Sequence, residues 1–129
     1  MILRHFESGA RFPDAWQVGD LLLISGQVAL DSAGKLVGAG DIAEQTRVSF
    51  ENMGRVLERA GCRFADLVKL NTFLVFDGPE EQFAAYWQAM DAARRPFLPD
   101  PGPAATAVRV PGLAMAGLLI EIDGMAVCR

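Results

Sequence analysis

Hydrophobic and polar positions along this chain switch between a strand-like and a helix-like period, and the switches divide it into elements. Val18-Gly19-Asp20 reads as a turn ahead of the run Leu21-Leu22-Leu23-Ile24. So short an apolar run, closed by Ser25-Gly26, predicts a buried strand. A second strand is expected to begin near Gln27, and an earlier one around His5. Gly38-Ala39-Gly40 leads to Asp41, which is placed to cap a helix, with Glu44 three residues on to complete a capping box. Ile42, Phe50, Met53, Val56, Leu57 and Ala60 then recur on one face at helical spacing until Gly61 supplies a left-handed stop.

Leu67 to Phe76 is rich in β-formers but interrupted by Lys69, Asn71 and Thr72, which suits a strand with one dry face. Pro79 opens a second helix with the stripe Phe83, Tyr86, Trp87, Met90. The prolines at 96, 99, 101 and 103 forbid its extension beyond Arg95 and make a stiff connector. Ala105 to Val110 and Leu118 to Val127 read as the last two strands, parted by the Pro111-Gly112 turn. The order predicts an α+β sheet with both helices on one face, leaving the other face in need of a partner.

The 129 residues fit one domain, 1–129, and the composition, 51% hydrophobic and 22% charged, is globular. No apolar run nears the roughly 20 residues that cross a bilayer, so no membrane partner is expected. Met1 to Phe6 lacks the features of an export signal, and a cytoplasmic location is expected. Cys62 and Cys128 have no metal spacing and read as free thiols there. The net charge is −4, and only Arg94-Arg95 clusters among the basic residues, which argues against nucleic acid as a partner.

Candidate chemistry lies in Ser25-Gly26-Gln27, Asp66-Leu67-Val68-Lys69, Pro103-Ala104-Ala105-Thr106-Ala107-Val108-Arg109-Val110 and Leu119-Ile120-Glu121-Ile122. With the capped helix from Asp41 to Gly61, these segments resemble the RidA (YjgF) family over nearly the whole chain. The resemblance implies a single mixed β-sheet with two helices on one face, the chorismate-mutase-like RidA fold. It also implies a homotrimer, small-molecule clefts between subunits, no cofactor and no metal. Active members of that family hydrolyse enamines and imines, binding the substrate carboxylate with an arginine after a Pro-Ala pair. Here that position is Ala105. A methyl group cannot replace a guanidinium fork, and losing such a contact costs on the order of a thousandfold in binding or rate. Other positions have also become apolar: Phe12 where members often have tyrosine, Phe83 for asparagine, and Ala107 for a cysteine or other small residue.

The resemblance assigns Glu121 as the carboxylate that orients water, and Ser25 and Gly26 as substrate contacts. From the residues alone Glu121 also reads as a solvated strand carboxylate, and Ser25-Gly26 as turn chemistry. Asp123 shares the Glu121 face, where the pair could share a proton, bind a cation or simply face solvent. Arg109 shares a strand face with Ala105 and Ala107 but lies roughly 13 Å from position 105 along it. It could enter the cleft or make a surface ion pair. Arg94 and Arg95 could likewise reach the cleft or merely complement a helix dipole. His5 stands without ligand-spaced partners. Phe83, Tyr86 and Trp87 read as helix packing rather than a base-stacking platform. The sequence therefore supports two functions: an imine or enamine deaminase with altered specificity, and a non-catalytic trimer that binds a small metabolite.

Overall fold

The structure, a computed structural model, describes residues 3–6, 8, 9 and 11–128, with no account of the side chains of residues 3 and 5. The proposals for the extreme N-terminus and for the His5 side chain thus lie outside the described part.

In chain order the elements are β1 (Leu3–Phe6), β2 (Ala15–Val18), β3 (Leu21–Val28), α1 (Ile42–Arg59), β4 (Leu67–Leu74), α2 (Phe83–Arg94), β5 (Ala104–Arg109) and β6 (Ile120–Val127). They form one mixed sheet in the order β1-β2-β3-β6-β4-β5. Every pairing is antiparallel except β4 with β5, which are joined by the crossover through α2. Both helices cover the same face, as the sequence predicts.

Helix α1 begins where Asp41 Oδ1 accepts the Glu44 backbone N–H at 3.1 Å. Only that half of the capping box forms, because the Glu44 carboxylate turns outward to Arg47. Gly61, at φ +76°, ends the helix as expected. The stripe Ile42, Phe50, Met53, Val56 and Leu57 is buried against Leu22, Ile24, Leu70, Leu74, Ile120 and Ile122 of the sheet. Phe50, Phe64 and Phe97 stack together at 5.5 to 6.2 Å between ring centroids and lock α1 to the turns that follow α1 and α2. The second helix is preceded by one 3-10 turn over Glu80–Gln82, so Pro79 stands ahead of that turn rather than of α2 itself.

Two expectations are corrected. Leu21 to Val28 is one strand, and no second strand begins at Gln27. The ladder with β6 runs to Ile24, skips Ser25 and Gly26 in a bulge, and resumes at Gln27 opposite Ile122. Cys62 and Cys128 are not free thiols but a disulfide. The reversal at Gly61 sets Cys62 beneath the end of β6, with the two Cα atoms 5.5 Å apart and both residues buried.

The face away from the helices is uncovered and largely apolar. Trp16, Leu23 and Met125 each expose about two-fifths of their surface there, joined by Leu21 and Val108. Among the described residues, no helix is long and apolar enough to cross a membrane.

Candidate functional site

Strand parity sorts the candidate residues onto two faces. On β6, Ile120, Ile122 and Ala126 point toward the helices and are fully buried, which turns Glu121, Asp123 and Met125 to the open face. Glu121 lies between Val28 of β3 and Phe73 of β4. Its carboxyl group folds over the bulge: a Cβ placed on Gly26 would come within 2.8 Å of Glu121 Cδ and 3.1 Å of both carboxylate oxygens. Glycine at 26 is what gives that carboxyl its seat.

The seat is half-buried, and among the described residues the carboxyl has no ion-pair or hydrogen-bond partner. Burial first, and the negative charge of Asp123 second, push the Glu121 carboxyl above its ordinary value. Asp123 is itself held by Asn71 Nδ2, which donates at 2.8 Å. Beside it on the same face, Lys69 Nζ donates to Thr106 Oγ1 at 2.8 Å.

Ser25 serves the bulge as a tie. Its hydroxyl donates to the Pro13 carbonyl at 2.7 Å and its backbone N–H to the Asp14 carbonyl at 2.8 Å, fastening the loop before β2 over the bulged residues. Phe12 lies on that loop, two-thirds exposed, and shares with Gly26 the lining of a cavity of about 730 Å³ that reaches α1. Ser25, Gly26 and Glu121 therefore form one group around the β3 bulge, and Phe12 joins it only through Gly26, on the cavity that runs to α1.

Ala105, Ala107 and Arg109 form another. They pair in register with Leu70, Thr72 and Leu74, whose side chains are buried under the helices, so all three point to the helix side of the edge strand. Ala105 and Ala107 are exposed there. Arg109 makes a bidentate pair with Glu80 at 2.9 and 3.0 Å and lies 3.9 Å from the centroid of the Phe83 ring. Phe83 packs edge-on against Phe76 at 5.4 Å and sits beside Tyr86, whose hydroxyl donates to the Val75 carbonyl at 2.6 Å. Phe83 and Arg109 thus close the end of the β4–β5 pair, on the opposite side of the sheet from Glu121. Within one chain the two groups do not meet.

Two residues that position the first group carry no obvious sequence signal. Gln45, on α1, is fully buried and bonds three backbone groups: its amide donates to the Gly38 and Gly117 carbonyls, and its oxygen accepts from Leu119 N–H at 2.8 Å. It fixes the chain just before Glu121. Asn52 donates to the carbonyls of Val28 and Leu30, which fixes the chain just after the bulge. Among the described residues no group of three or more His, Cys, Asp or Glu side chains is arranged to hold a metal ion.

The sequence profile of the Endoribonuclease L-PSP family matches residues 3–128. Protein mmf2, mitochondrial, of Schizosaccharomyces pombe is 39% identical over 121 residues, covering 92% of this chain and 88% of that protein. The 2-iminobutanoate/2-iminopropanoate deaminase of Mus musculus is 32% identical over 115 residues, covering 85% and 84%. The crystal structure of RidA from an Antarctic Psychrobacter superposes with a TM-score of 0.77 at 27% identity, covering 95% of this chain and 93% of that one.

Proposed function

The chain belongs to the Endoribonuclease L-PSP family, the RidA (YjgF) proteins, and we propose on that basis that it is a homotrimer whose subunit clefts hydrolyse small imines and enamines. The observation that carries this reading is the Glu121 carboxyl seated over Gly26, half-buried, without a partner among the described residues and with its proton held more tightly than usual. A carboxylate so placed takes a proton from a water molecule as that water adds to the imine carbon. With the imine nitrogen protonated, addition gives a neutral carbinolamine, which collapses as that proton passes from the carboxyl to nitrogen and the carboxylate takes the hydroxyl proton, releasing ammonia and leaving a ketone. Water and imine enter, ammonia and carbonyl leave, and no cofactor is needed.

The cleft is composite in this reading. The group around the β3 bulge from one copy faces the β5 group from the next, which covers the apolar open face and the unpaired edge of β5 together. With Ala105 in place of an arginine and with Phe12 on the bulge side, the cleft suits a substrate held by apolar contact or by cations elsewhere. A ribonuclease role does not fit the charge of this chain. The chain carries a net charge of −4, and its one pair of adjacent arginines is tied to Asp91.

A second reading, a trimer that binds a metabolite without turning it over, is favoured by one observation, the methyl group of Ala105 where a substrate-binding guanidinium would be needed. A cytoplasmic setting belongs to the proposal; the Cys62–Cys128 disulfide and the mitochondrial name of one relative count against it. The test is ammonia release from freshly generated 2-aminoacrylate and from bulkier 2-imino acids. A rate that Glu121→Gln lowers at least about a hundredfold supports the hydrolase. Metabolite binding with no ammonia release in either protein supports the second reading.

A further inference from the structure

The last turn of α2, the proline-rich connector and β5 border a pocket of about 550 Å³ that opens to solvent. Leu70 and Ala105, side by side across the parallel pair, contribute to one wall, and Leu98 adds to the apolar lining. The polar lining is ordered. Asp91 Oδ1 accepts from Arg94 Nε at 2.9 Å, and Asp91 Oδ2 accepts from Arg95 Nε and Nη2 at 3.0 and 2.8 Å.

One carboxylate thus holds two guanidinium groups, and most of the five N–H donors of each fork remain outside that pairing. Arg94 is further fixed over the Trp87 ring, 5.3 Å from its centroid, and its side chain is only 16% exposed. Arg95 is 76% exposed. Asp100, on the connector, also lines the cavity and has no ion-pair partner among the described residues. Asp91 is neutralised by the two arginines it holds, so the groups that face a ligand are guanidinium donors on the helix and a carboxylate on the connector.

We propose that this cavity binds a small zwitterion, an aliphatic amino acid or the protonated 2-imino acid of the same skeleton. Its carboxylate bonds Arg94 and Arg95, and its protonated nitrogen turns to Asp100. A simple anion would meet the same arginines but also the uncompensated charge of Asp100. A zwitterion satisfies both, and its side chain lies on Leu98 and the methyl of Ala105. The arginines are already ordered by Asp91, which lowers the entropy that binding must overcome. The lost strand arginine thereby has a counterpart on α2. This inference deepens the imine-hydrolase reading by assigning the residues that hold the substrate, Arg94, Arg95 and Asp100, and rests on that reading only for the chemistry after binding.

The test reads binding alone, by calorimetry and by amide chemical shifts, with L-leucine and with its 2-keto acid, which lacks the nitrogen. The expected result is tighter binding of L-leucine, with shifts centred on Ala105 and Arg95. Arg95→Gln weakens both ligands at least about tenfold, whereas Asp100→Asn weakens L-leucine and leaves the keto acid equal or tighter. Arg94→Gln should repeat the Arg95 effect. No binding of either ligand by the parent protein, equal binding of the two, or indifference to Arg95→Gln overturns the proposal. Binding with these variant effects but no ammonia release from 2-imino acids would uphold this proposal while overturning the imine-hydrolase reading, which separates the two.

Discussion

Gly26 and Glu121 touch across the β3–β6 boundary, and the hydrogen that glycine carries in place of a Cβ is what leaves the carboxyl its seat. Gly26 does not occupy the left-handed region, so alanine meets no backbone strain there. Its methyl would instead press the end of a flexible side chain. Gly26→Ala is therefore expected to cost no more than about 1 kcal/mol of stability while displacing Glu121 and lowering ammonia release at least about tenfold. Thermal unfolding and the ammonia assay, run on one preparation, check both halves.

The raised proton affinity of Glu121 gives a signed pH effect. The folded protein holds this proton more tightly than the unfolded chain does. The group's contribution to stability is thus fully present below the ordinary carboxylate value and is lost as pH rises through the raised one. Glutamine at 121 cannot titrate. The Tm of Glu121→Gln minus that of the parent should increase as pH is raised from about 4 to 8, and a difference that stays flat would show that Glu121 titrates normally.

Gln45 ties the loop before α1 and the chain before β6 to one buried amide. Gln45→Ala leaves two carbonyls and one N–H without that partner, at a cost of about 3 kcal/mol, or roughly 10 °C in Tm. The shift should show in denaturant and thermal melts alike.

The disulfide joins residues 66 apart in sequence. In the chain-entropy account a closure of this length stabilises by about 4 kcal/mol. The parent should melt well below its usual Tm in reductant, and Cys62→Ser/Cys128→Ser should melt at that lower temperature with or without reductant.

Elements that depend on local periodicity are legible in the sequence. The α1 stripe, its Asp41 start and its Gly61 stop need no knowledge of the rest of the chain. Features that depend on a neighbour are not. The bulge at Ser25-Gly26 exists only because β6 pairs on both sides of it. Gln45 looks like any polar helix residue until Gly38, Gly117 and Leu119 converge on it. Cys62 and Cys128 show no pairing until β6 ends above the turn after α1. The candidate site divides the same way. Parity places 105, 107 and 109 on one face of their strand and 121 and 123 on one face of theirs. Only the sheet order β6-β4-β5 reveals that these are opposite faces, with Arg109 committed to Glu80 and Phe83.

That opposition makes subunit complementation the most direct measurement of the composite cleft. Glu121→Gln removes one half of the cleft, and Ala105→Trp blocks the other. Each variant alone should release almost no ammonia. When the two are denatured together and refolded in equal amounts, each mixed trimer regains one cleft with Glu121 from one copy and Ala105 from its neighbour, so about a quarter of the parent rate should return. Mixed trimers confirmed by native mass spectrometry but showing no recovered rate, or a monomeric mass for the parent protein, would contradict the account.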